Sequence, residues 1–239
     1  MSDNYSNEGD ATLLSLDQAH NFTDWMYAQI KPYLRGDILE IGSGIGTYSK
    51  KTIRDFSQSR ICLSELDPVY CKKLSEQNFG NSRIEIRSLN LEQETDFLPI
   101  SQKFDCAFAL NVIEHVNEHE LALKNVYRAL RPGGVFIVLV PAHPLLFNNL
   151  DRAFGHYRRY TRRGFKELVA RTAFKIEHLF MFNALSMLGW FVNGTLFRKS
   201  VLHDKTLASF NKLVPIIRPI ETFILQKKIG ISLIAVLKK

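Results

Sequence analysis

Apolar residues in this chain come as short β-branched runs, separated by longer stretches in which every third or fourth position is apolar. That is the pattern of strands alternating with amphipathic helices. The runs DILEIG, RICLSE, RIEIRSL, FDCAFAL and VFIVLVP predict five strands between residues 37 and 141. Phe22, Trp25, Met26 and Ile30 fall at helical spacing behind Ser15-Leu16-Asp17-Gln18, a capping-box pattern, so a helix is expected over 16–34 with Gly36 ending it. TYSKKTIRDF and HELALKNVYRAL read as further helices, Asp67-Pro68 as an N-cap with proline at the first helical position, and Arg131-Pro132-Gly133-Gly134 as a turn into a buried strand. Elements in this order predict an α/β fold: a parallel, doubly wound sheet with helices on both faces and a ligand crevice beyond the carboxyl ends of the strands.

After Pro141 the pattern changes. RRGFKELVARTAF reads as a helix, KIEHLFMFNA as a strand and GISLIAVLKK as a final strand, with residues 185–230 between the last two expected as a helical lid or substrate insertion. Leu179 to Phe197 carries no charge over 19 residues, which is long enough to test as a membrane span. Its asparagines, glycines, serine and threonine make it poorly apolar, so a strand running into a lid helix is expected instead. Residues 1–14 are polar and acidic without an apolar h-region and are expected as a flexible tail, leaving 15–239 as one domain.

Charge divides the chain unevenly. Residues 1–150 hold 14 Lys+Arg against 19 Asp+Glu, and residues 151–239 hold 17 against 5, so the net charge of +7 comes from the C-terminal third. A basic surface there favours anionic substrates or membrane headgroups. Cys62, Cys71 and Cys106 form no C-x-x-C pair, which argues against a disulfide framework or a structural zinc site and for a reducing cytoplasm.

The first strand ends in Glu40-Ile41-Gly42-Ser43-Gly44-Ile45-Gly46. A dinucleotide turn would read G-x-G-x-x-G, but here the third glycine comes one residue early. The E-x-G-x-G-x-G pattern resembles the first motif of class I S-adenosylmethionine-dependent methyltransferases of the bacterial small-molecule, methyltransferase-11/12-like type, and the resemblance runs in order from residue 38 to about 141 and again at the final strand. It implies a Rossmann-like, seven-stranded, mostly parallel sheet of order 3-2-1-4-5-7-6 with strand 7 antiparallel. It also implies S-adenosyl-L-methionine as cofactor, with S-adenosyl-L-homocysteine as product. By the same resemblance Gly42, Ser43, Gly44 and Gly46 pack against the methionyl part, Glu40 lies near its amino group, and Glu65 with Leu66 reaches the ribose. Asn90-Leu91 takes the adenine, with asparagine standing where the family usually has an acidic residue, and Asn111 lies beside the transferable methyl.

A methyl acceptor that must lose a proton needs a base, and histidine suits that near neutral pH. His115, His143 and His156 sit near predicted strand ends, the latter two in the loop segments PAHP and GHYRRYT. The segment DRAFGHYRRYTRRGF packs two tyrosines, a histidine and five arginines into 15 residues. Arg158 and Arg159 are expected as a bidentate clamp on an anionic group, with Tyr157 and Tyr160 walling the acceptor. Trp190, Phe191 and Phe197 beside Arg198 and Lys199 suit a lipid-linked or amphiphilic substrate, and peripheral contact with the inner face of a bacterial membrane. The expected acceptor is therefore a small molecule, with methyl transfer to O, N or C by in-line displacement. Neither DNA nor RNA is the expected partner. Two alternatives stand beside this reading. One is an RNA methyltransferase, since Glu114, His115 and His156 resemble the metal ligands of small-RNA terminal methyltransferases; Asn111 replaces the first of those ligands, so no metal is expected. The other is a non-catalytic cofactor-binding module with a basic face for a membrane or partner.

Overall fold

The protein is described by a computed structural model covering residues 13–80, 82–201 and 204–239; the tail expected over 1–14 lies, but for its last two residues, outside them. Residues 13–18 are helical and lead through Ala19 into α1 (His20–Ile30). The alternation then runs β1 (Ile38–Ile41), α2 (Thr47–Asp55), β2 (Ile61–Glu65), α3 (Pro68–Glu76), β3 (Ile84–Ser88), α4 (Glu94–Phe97) and β4 (Phe104–Leu110). It continues with α5 (His119–Ala129), β5 (Leu130–Pro141), α6 (Asn149–Ala153), α7 (Arg162–Ala170) and β6 (Lys175–Phe182). Before β7 (Ser232–Lys238) come α8 (Leu185–Trp190), a π-helical turn (Phe191–Leu196), α9 (Asp204–Ile220) and a second π-helical turn (Glu221–Leu225).

All seven strands form one sheet of order β3-β2-β1-β4-β5-β7-β6, the order implied by the resemblance. Strands β1 to β5 pair in parallel, and β7 runs antiparallel to both β5 and β6. Period-two alternation sends side chains to opposite faces, each with its own core. Phe136, Val138 and Val140 join Leu233, Ala235 and Leu237 on one face. Val135, Ile137 and Leu139 join Ile234 and Val236, under α1 and α9, on the other. Each large apolar side chain so buried contributes about 1.5–3 kcal/mol.

Two expectations need correction. The first helix is not continuous over 16–34: Ala19 leaves helical geometry (φ −81°, ψ 61°), and α1 gives way to a 3₁₀ turn at Lys31. Ser15 therefore lies inside the preceding helical segment rather than capping α1, and Asp17 Oδ1 instead accepts from Thr47 Oγ1 (2.8 Å) beside the glycine turn. The Arg131-Pro132-Gly133-Gly134 stretch belongs to β5 itself, which starts at Leu130 opposite Phe104 and absorbs the extra residues in a register shift between Phe104 and Cys106. The proposed N-cap is present: Asp67 accepts the Val69 N–H (2.7 Å) with Pro68 at the first helical position.

Candidate active site

The carboxyl ends of β1, β2 and β4 share one edge of the sheet, and the turn after β1 is a close-packed glycine turn at that edge. Gly42 and Gly44 adopt left-handed backbone geometry (φ +69° and +54°), and a Cβ on Gly42 would sit 2.5 Å from Val112 Cγ2. The Gly42 and Ser43 N–H groups donate to the Ser64 carbonyl (2.8 and 2.9 Å), which fastens the turn to β2. Gly46 caps α2 in a left-handed conformation.

Two carboxylates flank this turn in different states. Glu65, half-exposed at the end of β2, accepts the Gly44 N–H at Oε2 (2.8 Å) and the Leu66 and Asp67 N–H groups at Oε1 (2.7 and 3.3 Å). It is thus directed onto the glycine turn, and its oxygens keep lone pairs for further donors. Glu40 is buried, and its Oε2 has no hydrogen-bond partner among the described residues. Burial pushes its pKa up to about 8, with the nearby Ser49 hydroxyl opposing the shift and Glu65 adding to it. A buried carboxylate in this condition lacks a cationic partner. Ser43 Oγ, also buried, is likewise unpaired.

At the next strand end, Asn90 Oδ1 accepts the Glu92 N–H (2.9 Å), the Asn90 N–H donates to Asp96 Oδ2 (2.9 Å), and buried Leu91 receives Asn125 Nδ2 at its carbonyl (2.9 Å). Asparagine here is therefore part of a local turn, with one amide-oxygen lone pair left over. Asn111, exposed at the end of β4, takes a left-handed conformation (φ +55°) and donates its N–H to the Leu139 carbonyl (3.0 Å).

A second polar cluster lies where the turn after β4 meets the segment before α7. The Tyr157 N–H donates to the Glu114 carbonyl (2.9 Å), which joins the two. Asp151, fully buried, is the hub. Its Oδ1 accepts from His156 Nδ1 and Arg159 Nε (both 2.8 Å), and its Oδ2 accepts from the Asn148 N–H (3.0 Å) and Trp190 Nε1 (3.3 Å). Burial works against the charge on Asp151, but these donors outweigh it and hold the carboxyl below its usual range. With Nδ1 engaged by Asp151, His156 points Nε2 toward Glu114 Oε1 at 3.9 Å. Glu114 is fully buried with neither oxygen hydrogen-bonded among the described residues, and burial raises its pKa to about 8. His115 packs edge-on against His156 (ring centroids 4.7 Å); one side of it is open to solvent, while the covered side and the neighbouring ring lower its pKa. Donor atoms of Glu114, His115 and His156 all lie within 4.8 Å of one another.

The expected clamp is absent. Arg159 is buried, paired with Asp151, donating to the Ala142 carbonyl (3.0 Å) and stacked on the Trp190 ring at 4.7 Å. Arg158 spends both terminal nitrogens on the Asn117 carbonyl (3.0 and 3.1 Å). Nor does Tyr160 wall an acceptor: it is a core residue, its hydroxyl 2.9 Å from His119 Nδ1 and donating to the Ile113 carbonyl (3.4 Å). His143 is a latch, its Nε2–H donating to the Gly230 carbonyl (3.0 Å), and it is not among the groups that converge on His156. Tyr157 is exposed, with the Arg158 guanidinium 5.5 Å from its ring. Sequence reasoning passed over Asp151 and Asn148. The signal was there in Asn148-x-x-Asp151, a capping box placed five residues before His156.

Residues 39–136 match the sequence model of a methyltransferase domain. The ubiquinone/menaquinone biosynthesis C-methyltransferase UbiE of Cronobacter sakazakii is 26% identical over 144 residues, 59% of this chain and 57% of that protein. Trans-aconitate 2-methyltransferase of Deinococcus radiodurans is 25% identical over 162 residues, 60% and 59% of the two chains. The chain spans 30% to 59% of the length of the first curated relatives it matches. Among solved structures, a Thermotoga maritima protein described as an SAM-dependent methyltransferase superposes with a TM-score of 0.62 at 16% identity, covering 99% of this chain and 97% of that one. Glu40 Oε2, buried and without a hydrogen-bond partner among the described residues, is a carboxylate oxygen of the kind that the amino group of S-adenosylmethionine requires, so this residue fits the cofactor that a methyltransferase domain implies. Residues 39–136 thus resemble a methyltransferase domain, and the sheet of order β3-β2-β1-β4-β5-β7-β6 that contains them is the fold shared with that solved SAM-dependent methyltransferase.

Proposed function

We propose that this protein methylates an oxygen, nitrogen or carbon of a small anionic or amphiphilic acceptor, working in the cytoplasm of a bacterium. The observation that carries this reading is buried Glu40, its Oε2 without a hydrogen-bond partner among the described residues, beside a glycine turn that Glu65 fastens at the Gly44 N–H. When bound, S-adenosylmethionine supplies a methyl group activated by its sulfonium. Glu40 would pair with the amino group, Glu65 would accept the ribose hydroxyls, and Asn90 with Leu91 would border the adenine.

On the acceptor side the chain contributes a proton acceptor. With Nδ1–H donated to Asp151, His156 carries its free lone pair on Nε2, the form a general base needs. Glu114, held neutral by burial below about pH 8, does not compete with it as an anion. His115 shields one edge of that ring, and exposed Tyr157 offers an aromatic surface nearby. Transfer of labelled methyl groups into metabolite and lipid extracts, followed by mass spectrometry, tests the reading. His156→Gln is expected to lower kcat by about 10²-fold or more, with cofactor affinity unchanged. Equal turnover by this variant would remove His156 from the reaction.

One observation favours a second reading, methyl transfer to RNA with a divalent cation: the convergence of Glu114, His115 and His156. Turnover on oligoribonucleotides that requires added Mn²⁺ and stops with chelator would establish it over the first.

A further inference from the structure

The insertion between β6 and β7 buries one stripe and exposes another. On α9, Val214 and Ile217 face inward, and Asn211 ties the helix to α1, its carbonyl accepting from Asn21 Nδ2 (3.1 Å) and its Oδ1 from the Phe22 N–H (3.0 Å). Buried Glu221 accepts the Asn183 and Leu185 N–H groups (2.9 and 3.2 Å), which brings the end of α9 against the start of α8. The adjacent stripe is Leu213, Ile216, Ile220, Phe223 and Ile224, at helical spacing and 40–77% exposed. Leu185, Leu188 and Phe191 on the neighbouring short helix are also exposed. So much apolar surface left uncovered in one place marks an interaction site.

The charges around it select the occupant. Between residues 185 and 230 the sequence has seven Lys+Arg and two acidic residues, Asp204 and Glu221, and Glu221 is buried. Lys212, Arg218 and Lys228 are exposed and enter no ion pair among the described residues. A two-fold self-contact would lay this cationic face against its own copy and set like charges opposite one another. An anionic lipid surface provides both complements at once: acyl boundary for the apolar stripe and phosphates for the cations. No helix among the described residues is long and apolar enough to cross a membrane, so the geometry is that of an element lying on the surface.

We propose that the outer face of α9 and its π-helical extension seats the protein on an anionic bilayer, with Ile216, Ile220, Phe223 and Ile224 in the acyl boundary and Lys212 and Lys228 at the headgroups. The same insertion, through α8 and the π-helical turn after it, carries Trp190 and Thr195 against Asp151 and Asn148, beside the His156 cluster. An amphiphilic acceptor would then enter from the bilayer. That entry route rests on the proposed methyl transfer; the docking itself does not.

Co-sedimentation of the full chain with vesicles tests it. Partitioning into phosphatidylcholine vesicles containing phosphatidylglycerol is expected to exceed that into phosphatidylcholine alone by at least tenfold and to fall as salt is raised. Phe223→Glu and Ile216→Glu should each lower it tenfold or more, and Lys228→Ala about fivefold. Leu98→Glu, an exposed apolar position outside the insertion, should leave it unchanged. Cofactor binding and Tm, measured on the same variants, establish that they are folded. Equal partitioning of Phe223→Glu and the parent chain, or no partitioning of either, overturns the proposal. So does a dimer in sedimentation analysis that Ile216→Glu dissociates while vesicles bind neither form.

Discussion

Glu40 illustrates how one buried group links pH, stability and ligand. Its pKa in the folded protein, about 8, lies above the ordinary carboxylate value near 4.5, so between those values the folded state holds a proton that the unfolded chain has released. Stability from this group is therefore complete below about pH 4.5 and is lost as pH rises toward 8; Glu40→Gln should flatten that decline in thermal melts from pH 5 to pH 9. A cationic amino group arriving beside Glu40 would ionise it. Titration of S-adenosylhomocysteine at pH 6.5 in two buffers of different ionisation heat should report release of close to one proton by the parent chain and none by Glu40→Gln; equal values would detach Glu40 from the ligand. Sequence pattern and resemblance marked Glu40, Glu65 and the glycines, because motif spacing is local and the sheet carries it into space unchanged. The roles of Arg159 and Tyr160 were hidden for the opposite reason. Their partners, Asp151, Trp190 and His119, come from separate elements, and a buried ion pair reads in sequence like an exposed anion clamp.

At the scale of elements, the turn between β1 and α2 depends on the turn after β4. Gly42→Ala meets both a left-handed backbone and the Val112 side chain, so it should cost about 2 kcal/mol or more, a Tm loss of roughly 4–8 °C. Adding Val112→Ala should recover the steric part and leave the backbone part; full recovery would mean that the left-handed geometry carries no cost here. The segment before α7 is tied in the same way. Asp151→Asn would leave Arg159 buried without its anion, and a loss of about 3–5 kcal/mol is expected in chemical denaturation. The central strands were legible in sequence because they are continuous apolar runs buried on both faces. The break at Ala19 was not, since amphipathic spacing persists across it. The early start of β5 was not either, because it is imposed by pairing of Leu130 with Phe104 on a neighbouring strand.

The whole molecule divides its labour along the sheet. The acidic N-terminal part, through β4, supplies the glycine turn, Glu40, Glu65 and Asn111, while the basic C-terminal third supplies Asp151, His156 and the exposed insertion. The charge asymmetry visible in sequence thus separates the part of the chain that carries the glycine turn from the part that carries the Asp151 cluster and the insertion. All of this depends on the glycine turn and its two carboxylates forming a seat for the cofactor. Calorimetric titration of the full chain with S-adenosylhomocysteine, beside Glu65→Ala verified as folded by its melting profile, measures that seat directly. The account predicts one site per chain in the parent protein and at least a tenfold weaker one in the variant, as loss of a charged hydrogen-bonding partner entails. Absence of binding to the parent chain, or equal affinity in the two, would contradict it.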